Sequence, residues 1–302
     1  MKVTNKIAII LICVICAGCL NLEKNIRWGD INLFKDTPAW ELVCAVEFGS
    51  TKKIERILEE NPELVYYKEP QWGLTPLHRA VGKRKYKSAE TLLKSGANPN
   101  VRLNNGWPLI FDAISPEWGT NYGKKDLRML ELLLKYGADP NFNMEGDSTF
   151  NNGNPDISPL IFANRPLSKI DKTKLLVEHG ADINYTTRHG ANAATMALRY
   201  GLIENAHYLI VEKGADISKP YYHDKLETPG INFDQPFYPV DDLVELMYPL
   251  DSREYQLKKE IIQVFESKGI NYSERKKELA YRMLDHIKHL YPDSWEDYLE
   301  KY

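Results

Sequence analysis

The sequence has no apolar run long enough to cross a bilayer core, which takes about 20 residues. Its longest unbroken one is the short stretch Ile7 to Cys16. There is no excess of positive charge either. Lys and Arg number 39 against 42 Asp and Glu, for a net charge of −3, so the basic footprint of a nucleic-acid binder is missing. Four cysteines in 302 residues are too few for a disulfide scaffold, and 18 glycines with 17 prolines are too few for a low-complexity chain. No Gly-rich phosphate loop, H-E-x-x-H or G-x-S-x-G motif occurs. What is present is a 43% apolar content, enough to bury a core in one large domain or two ordinary ones.

The N-terminus places Lys2 and Lys6 before the apolar run, and Cys16-Ala17-Gly18-Cys19 after it. Basic residues, a short apolar stretch and small residues in that order fit a secretory leader. Ala17 and Gly18 directly before a cysteine resemble the bacterial lipobox, with Cys16 where Leu is usual. The resemblance implies cleavage before Cys19, lipidation of its thiol and acylation of its new amine. Residues 1–18 then form a lipoprotein signal peptide and 19–36 a tether. Leu20 follows the cysteine where, in enterobacterial lipoproteins, Asp marks retention at the inner membrane. The expected location is therefore the outer membrane facing the periplasm, with the inner membrane or cell surface as alternatives. Cys44 is the one thiol left over, and its apolar helical surroundings suit a small buried hydrophobe.

A short phrase repeats along the rest. Gly96-Ala97-Asn98-Pro99-Asn100 returns as Gly137-Ala138-Asp139-Pro140-Asn141, then as Gly180-Ala181-Asp182-Ile183-Asn184 and Gly214-Ala215-Asp216-Ile217-Ser218. Each copy follows an apolar helical run, and Thr75-Pro76-Leu77-His78-Arg79-Ala80 precedes the first. Thr75 can cap a helix, and Pro76 suits its first turn. Leu77 and Ala80 share a face. Glycine ends a helix in the left-handed conformation. Together these residues resemble the ankyrin repeat, with its period of about 33 residues. The resemblance implies an all-α solenoid of about five or six repeats over 37–272, approximately 37–72, 73–106, 107–156, 157–190, 191–235 and 236–272. Residues 273–302 would form a C-terminal helical cap, with Leu279, Met283, Ile287 and Leu290 on one face.

Leu77 to Gly96 is 19 positions, and Leu160 to Gly180 and Ala194 to Gly214 are each 20, which supports the resemblance. Two spacings depart from the pattern. Leu109 to Gly137 is 28, with the excess over 115–123, and a second excess falls within 143–156. Insertions map to loops and often to a binding face, though surface loops are also tolerated without a role.

No residues converge on chemistry. Ser50-Thr51-Lys52-Lys53 matches S-x-x-K without the partner motifs of that enzyme class. Asp139 to Asn143 begins like a calcium loop, but Met144 and Phe150 stand where Gly and Glu are required. His286 and His289 lack further ligands for a metal. We therefore expect no enzyme, no metal and no cofactor, and a monomer that binds a protein partner and not nucleic acid. By the resemblance, partners lie against the finger tips and first helices, which gives Trp72, Arg102, Asn104, Trp107, Arg188, His189, Tyr221 and Tyr222 as candidate contacts. Trp107 also has a packing role open to it, against Phe111 or Trp72. Neutralisation of a toxin is one form this binding could take. The alternative is an envelope enzyme or peptidoglycan binder that uses the two insertions.

Overall fold

The computed structural model describes residues 30–115, 126–145, 156–166, 168–222 and 236–301. The leader, Cys19, most of the tether, Trp118, Tyr122 and the greater part of both insertions lie outside them. Two compact units divide the chain at Asn98. The first contains α1 (Trp40–Glu47), α2 (Thr51–Glu60), α3 (Pro76–Gly82) and α4 (Tyr86–Lys94). The second contains the pairs α5 (Leu109–Ile114) with α6 (Arg128–Lys135), α7 (Pro159–Phe162) with α8 (Ile170–Glu178), and α9 (Ala193–Arg199) with α10 (Ile203–His207). A sixth pair, α11 (Pro239–Glu245) and α12 (Arg253–Ser267), precedes α13 (Tyr272–Leu290) and α14 (Trp295–Lys301). No strand occurs among the described residues, only isolated bridges at Arg102–Pro108 and Tyr221–Phe237.

The helix starts follow the sequence chemistry. The Thr75 hydroxyl accepts from the His78 N–H, Ser158 from Ile161 and Asn192 from Thr195. In each case a side chain satisfies a donor left open by the first turn. Burial then follows the repeat. Leu77, Ala80, Leu92, Leu109, Ala113, Leu133, Leu160, Ala194, Ala197 and Leu209 are all buried. Small alanines on the first helices let neighbouring backbones approach where larger side chains would hold them apart.

Each Gly-Ala-Asp/Asn turn closes its helix, and the four glycines hold φ between +72° and +94°. In the second unit the last residue of the turn does more. Asn100 Oδ1 accepts from the Asp139 N–H at 2.8 Å, while its amide donates to the Gly137 carbonyl at 2.9 Å. Asn141 repeats both bonds one turn on, with Asp182 and Gly180. Asn184 accepts from Asp216 at 2.8 Å. Ser218 stands at the equivalent position of the last turn, and its hydroxyl bonds back to Asp216 of its own turn.

The twenty-residue spacing of the fifth repeat has a local cause. After α10 the helix makes one π turn, Tyr208–Glu212. The Ala215 N–H then reaches the Leu209 carbonyl, six residues back, where Ala138 reaches Leu133, five back. The extra residue is absorbed inside the helix, as π bulges do, and the turn keeps its register. The nine-residue excess after repeat three is also confined. Met144 N–H donates to the Ile157 carbonyl, just as Leu103 does to Trp107 and Thr187 to Ala191. The finger is closed below its insertion.

The chain after 236 caps the second unit by polar anchoring as well as apolar contact. Arg275 grips Asp241 with both forks of its guanidinium. Tyr298 donates to the Tyr248 carbonyl at 2.9 Å and stacks on Tyr291 at 4.1 Å. Lys258 is fully buried, and its ammonium nitrogen donates to the Leu246 carbonyl at the end of α11. Burial holds its pKa well below the usual lysine value. Ile287 is buried as its helical spacing implies. The side chains of Leu279, Met283 and His286 lie outside the described residues.

Two glycines of positive φ make separable demands. A Cβ on Gly137 (φ +85°) would meet nothing within 4 Å, whereas one on Gly106 (φ +83°) would lie 1.3 Å from the Glu145 carbonyl oxygen. Gly137→Ala should cost about 1 kcal/mol from backbone strain alone. Gly106→Ala should cost about 3 kcal/mol or more, because two fingers must part. Chemical denaturation of the two variants checks the order; equal costs would contradict the finger contact.

Candidate protein-binding surface

The fingers are tight turns between one pair's second helix and the next pair's first. Gly106 closes the finger at 103–107 and Gly190 the one at 187–191. Neighbouring fingers touch through backbone: Glu145 donates to the Gly106 carbonyl, and Tyr222 to the His189 carbonyl at 2.8 Å. Fingers so linked present a fixed edge, and their side chains divide into those that hold the edge together and those that face outward.

Arg102 belongs to the first group. Its guanidinium sits 3.6 Å above the Phe142 ring, donates twice to the Asn143 carbonyl (2.7 and 3.1 Å) and pairs with Glu145 at 3.0 Å. The expectation of an outward anchor at Arg102 is corrected: the side chain ties one finger to the next. Tyr221 requires the same correction. It is fully buried, donates to Asp242 at 2.6 Å and lies against Phe237. Trp107 follows its packing alternative. Its indole N–H donates to Asp112 at 2.9 Å, and its ring meets Phe111 and Phe162 edge-on at 5.3 and 5.5 Å.

The outward group is smaller. Tyr222 is 43% exposed. Arg188 and Asn104 are exposed at their tips, and His189 is half-buried. Trp72 lies half-buried in the first unit, where the buried Glu69 carboxylate accepts the Trp72 backbone N–H at 2.8 Å. Beside Gly190 opens a polar groove of about 260 Å³, lined by Asn184, Thr186, Asn192, Thr195, Asp216 and Lys219. Asp216 is held below the usual carboxylate range, first by the Ser218 hydroxyl and N–H and then by Lys219. The groove therefore presents a fixed anion beside a lysine ammonium 3.6 Å away. Sequence reading missed it, because its walls come from two stretches, 184–195 and 216–219, more than twenty residues apart. The signal available was the cluster of Asn, Thr and Asp at those turns.

The weak motifs resolve into structure. Ser50 precedes α2 and Lys53 faces Glu41. Asp139 and Asn141 are occupied by turn and inter-turn bonds. His78 is buried, with Nδ1 accepting from the Thr75 N–H, and burial pushes its pKa down to about 3. No group of three or more metal-ligating side chains occurs among the described residues.

Arg102→Ala should lose about 1–3 kcal/mol of stability. Arg102→Lys should recover little of it, since an ammonium cannot replace the planar fork. Equilibrium unfolding of both variants is the measurement, and a neutral Arg102→Ala would return the residue to the outward group.

Asp242 generates a pH prediction. Burial pushes its carboxyl up to about 7 despite the Tyr221 hydroxyl and nearby Arg199. The folded state therefore prefers the protonated acid. Its contribution to stability is fully present below about pH 4 and is lost as pH rises through about 7. His78 has the opposite sign: its contribution is present above pH 6.5 and lost as pH falls towards 3. Asp242→Asn should thus change the melting temperature more favourably, relative to wild type, at pH 8 than at pH 5. A difference independent of pH would show that the carboxyl is not titrating there.

Comparison with protein families finds two matches. An ankyrin-repeat model matches residues 72–104, and a model of three ankyrin-repeat copies matches residues 120–220. A search of curated proteins finds no match. The matched stretches contain the pairs α3–α4, α7–α8 and α9–α10, together with α6 and the finger at 187–191. Ankyrin repeats serve protein–protein interaction and are generally non-catalytic scaffolds. Helix pairs, left-handed glycine turns and family matches agree: the chain carries ankyrin repeats at residues 72–104 and 120–220, and its described residues form an all-α fold of the ankyrin-solenoid kind.

Proposed function

We propose that the chain is a protein-binding module held at a bacterial envelope membrane through a lipidated Cys19. Its partner contacts the outward residues of the fourth and fifth fingers. The observation that carries the binding half is the polar groove beside Gly190, flanked in sequence by Arg188 and His189, with Tyr222 bonded to the His189 backbone. A rigid edge with an aromatic and an arginine side chain is the arrangement that concentrates binding energy in a few residues. A groove walled by Asn, Thr, Asp and Lys offers a partner hydrogen bonds as well as apolar area. Lys2, Lys6, the apolar run and Ala17-Gly18-Cys19 support the anchoring half. An envelope toxin whose cleft is blocked by this edge is the partner class we favour.

Two variants test the two halves. Cys19→Ser should leave an uncleaved precursor without acyl label; normal processing with unchanged membrane partition would end the anchor. With a partner captured from solubilised envelopes, Tyr222→Ala or Arg188→Ala should cost about 2 kcal/mol of affinity. Glu131→Ala on the second-helix side should cost almost nothing. A flat result at both finger positions would remove the site from this edge.

A further inference from the structure

The first unit carries an unusual corner. Phe48, in the turn between α1 and α2, is 84% exposed, a large apolar ring standing in solvent. Ser88 donates to the Val46 carbonyl at 3.2 Å, which brings the α3–α4 turn beside it. That turn reads Gly82-Lys83-Arg84-Lys85-Tyr86-Lys87, and no acidic residue occurs from Pro70 to Ala89. Lys52 adds a further exposed cation at the start of α2. Among the carboxylates of the neighbouring helices, Glu47 pairs with Arg79 at 2.7 Å, Glu90 with Lys94 at 3.2 Å, and Glu41 lies 4.0 Å from Lys53. Glu55, Glu59 and Glu60 lie farther along α2. In a chain of net charge −3, the two turns of this corner carry five cations, with Lys52, Lys83 and Lys87 exposed, beside one exposed aromatic ring.

We propose that this corner of the first unit, with Phe48 at its centre and Lys52, Lys83, Arg84, Lys85 and Lys87 around it, docks on an anionic lipid surface. Clustered Lys and Arg are attracted to anionic headgroups, by about 1 kcal/mol each near the surface. An aromatic ring gains by entering the interfacial region beneath them. Phe48 protrudes from a turn and is not recessed in a groove, which suits a soft bilayer surface better than a shaped protein pocket. Chain length agrees. Cys19 lies eleven residues before Asp30, and eleven extended residues span at most about 40 Å. A chain lipidated at Cys19 keeps the first unit within that distance of the bilayer. The corner turns this loose restraint into an oriented one. The inference rests on the anchor only for this proximity.

Binding of the full chain to sedimented vesicles tests it. The probes are pure phosphatidylcholine vesicles and vesicles rich in phosphatidylglycerol. Partition should be at least about tenfold stronger on the anionic vesicles at low salt, and salt should erase the difference. Phe48→Ser combined with Lys83→Glu and Lys85→Glu should abolish that increment and leave the melting curve unchanged. Phe48→Ser alone should reduce it. Binding to phosphatidylcholine reports the lipidated N-terminus separately. An anionic increment without it supports the corner while counting against the anchor. Phosphatidylcholine binding with no anionic increment overturns the corner and spares the anchor. An increment that survives the triple variant overturns it too, as does tighter, Phe48-dependent binding to soluble polyglutamate.

Discussion

The amide of an asparagine at the end of one turn grips the backbone of the turn after it, and the second unit is spaced by that grip. Asn100 holds both a donor and an acceptor of the next turn, and Asn141 does the same one step on. These groups are backbone atoms at a helix end, where the chain cannot satisfy all of them itself. A left-handed glycine is what presents them to the asparagine. Spacing fixed in this way fixes the finger roots, and with them the Gly106–Glu145 and His189–Tyr222 backbone contacts. The polar groove is a product of the same spacing, since Asn184 and Asp216 are partners in the grip and also form part of its wall.

Local chemistry was legible in the sequence where its partners lay within a turn or two. The caps at Ser158 and Asn192 emerged with the structure, whereas the Thr75 cap and the left-handed glycines were visible as short patterns. So was the apolar face of each first helix. Arg102 and Tyr221 were misplaced because their partners are remote. Phe142, Asn143 and Glu145 come some forty residues after Arg102, and Asp242 comes twenty-one after Tyr221. A finger-tip arginine or tyrosine reads as an anchor until the neighbouring finger supplies a ring, a carbonyl or a carboxylate. Asn100 and Asn141 stood out only as the last letter of the repeated phrase, because the backbone groups they serve belong to the following turn, some forty residues on.

At the fingers, several aromatic side chains that could have faced a partner are spent on packing. Trp107, Tyr221, Tyr298 and Phe111 hold helices and fingers together. Recognition at the fingers then depends on a few side chains on a stiff edge. Such an edge loses little conformational freedom on binding, which helps affinity more than area does. The first unit has a different surface chemistry, with one ring and its cations in place of a polar groove.

The rung between Met144 and Ile157 separates what lies above it from what lies below. Thirteen positions span it, against four at the rungs of the 103–107 and 187–191 fingers. The added closure entropy grows only with the logarithm of loop length, about 0.6 kcal/mol per doubling. Sequence above the rung can therefore lengthen, shorten or change composition almost independently of the stack. In heritable terms this finger is a place where variation is cheap, while a single added methyl at Gly106, one finger away, is not.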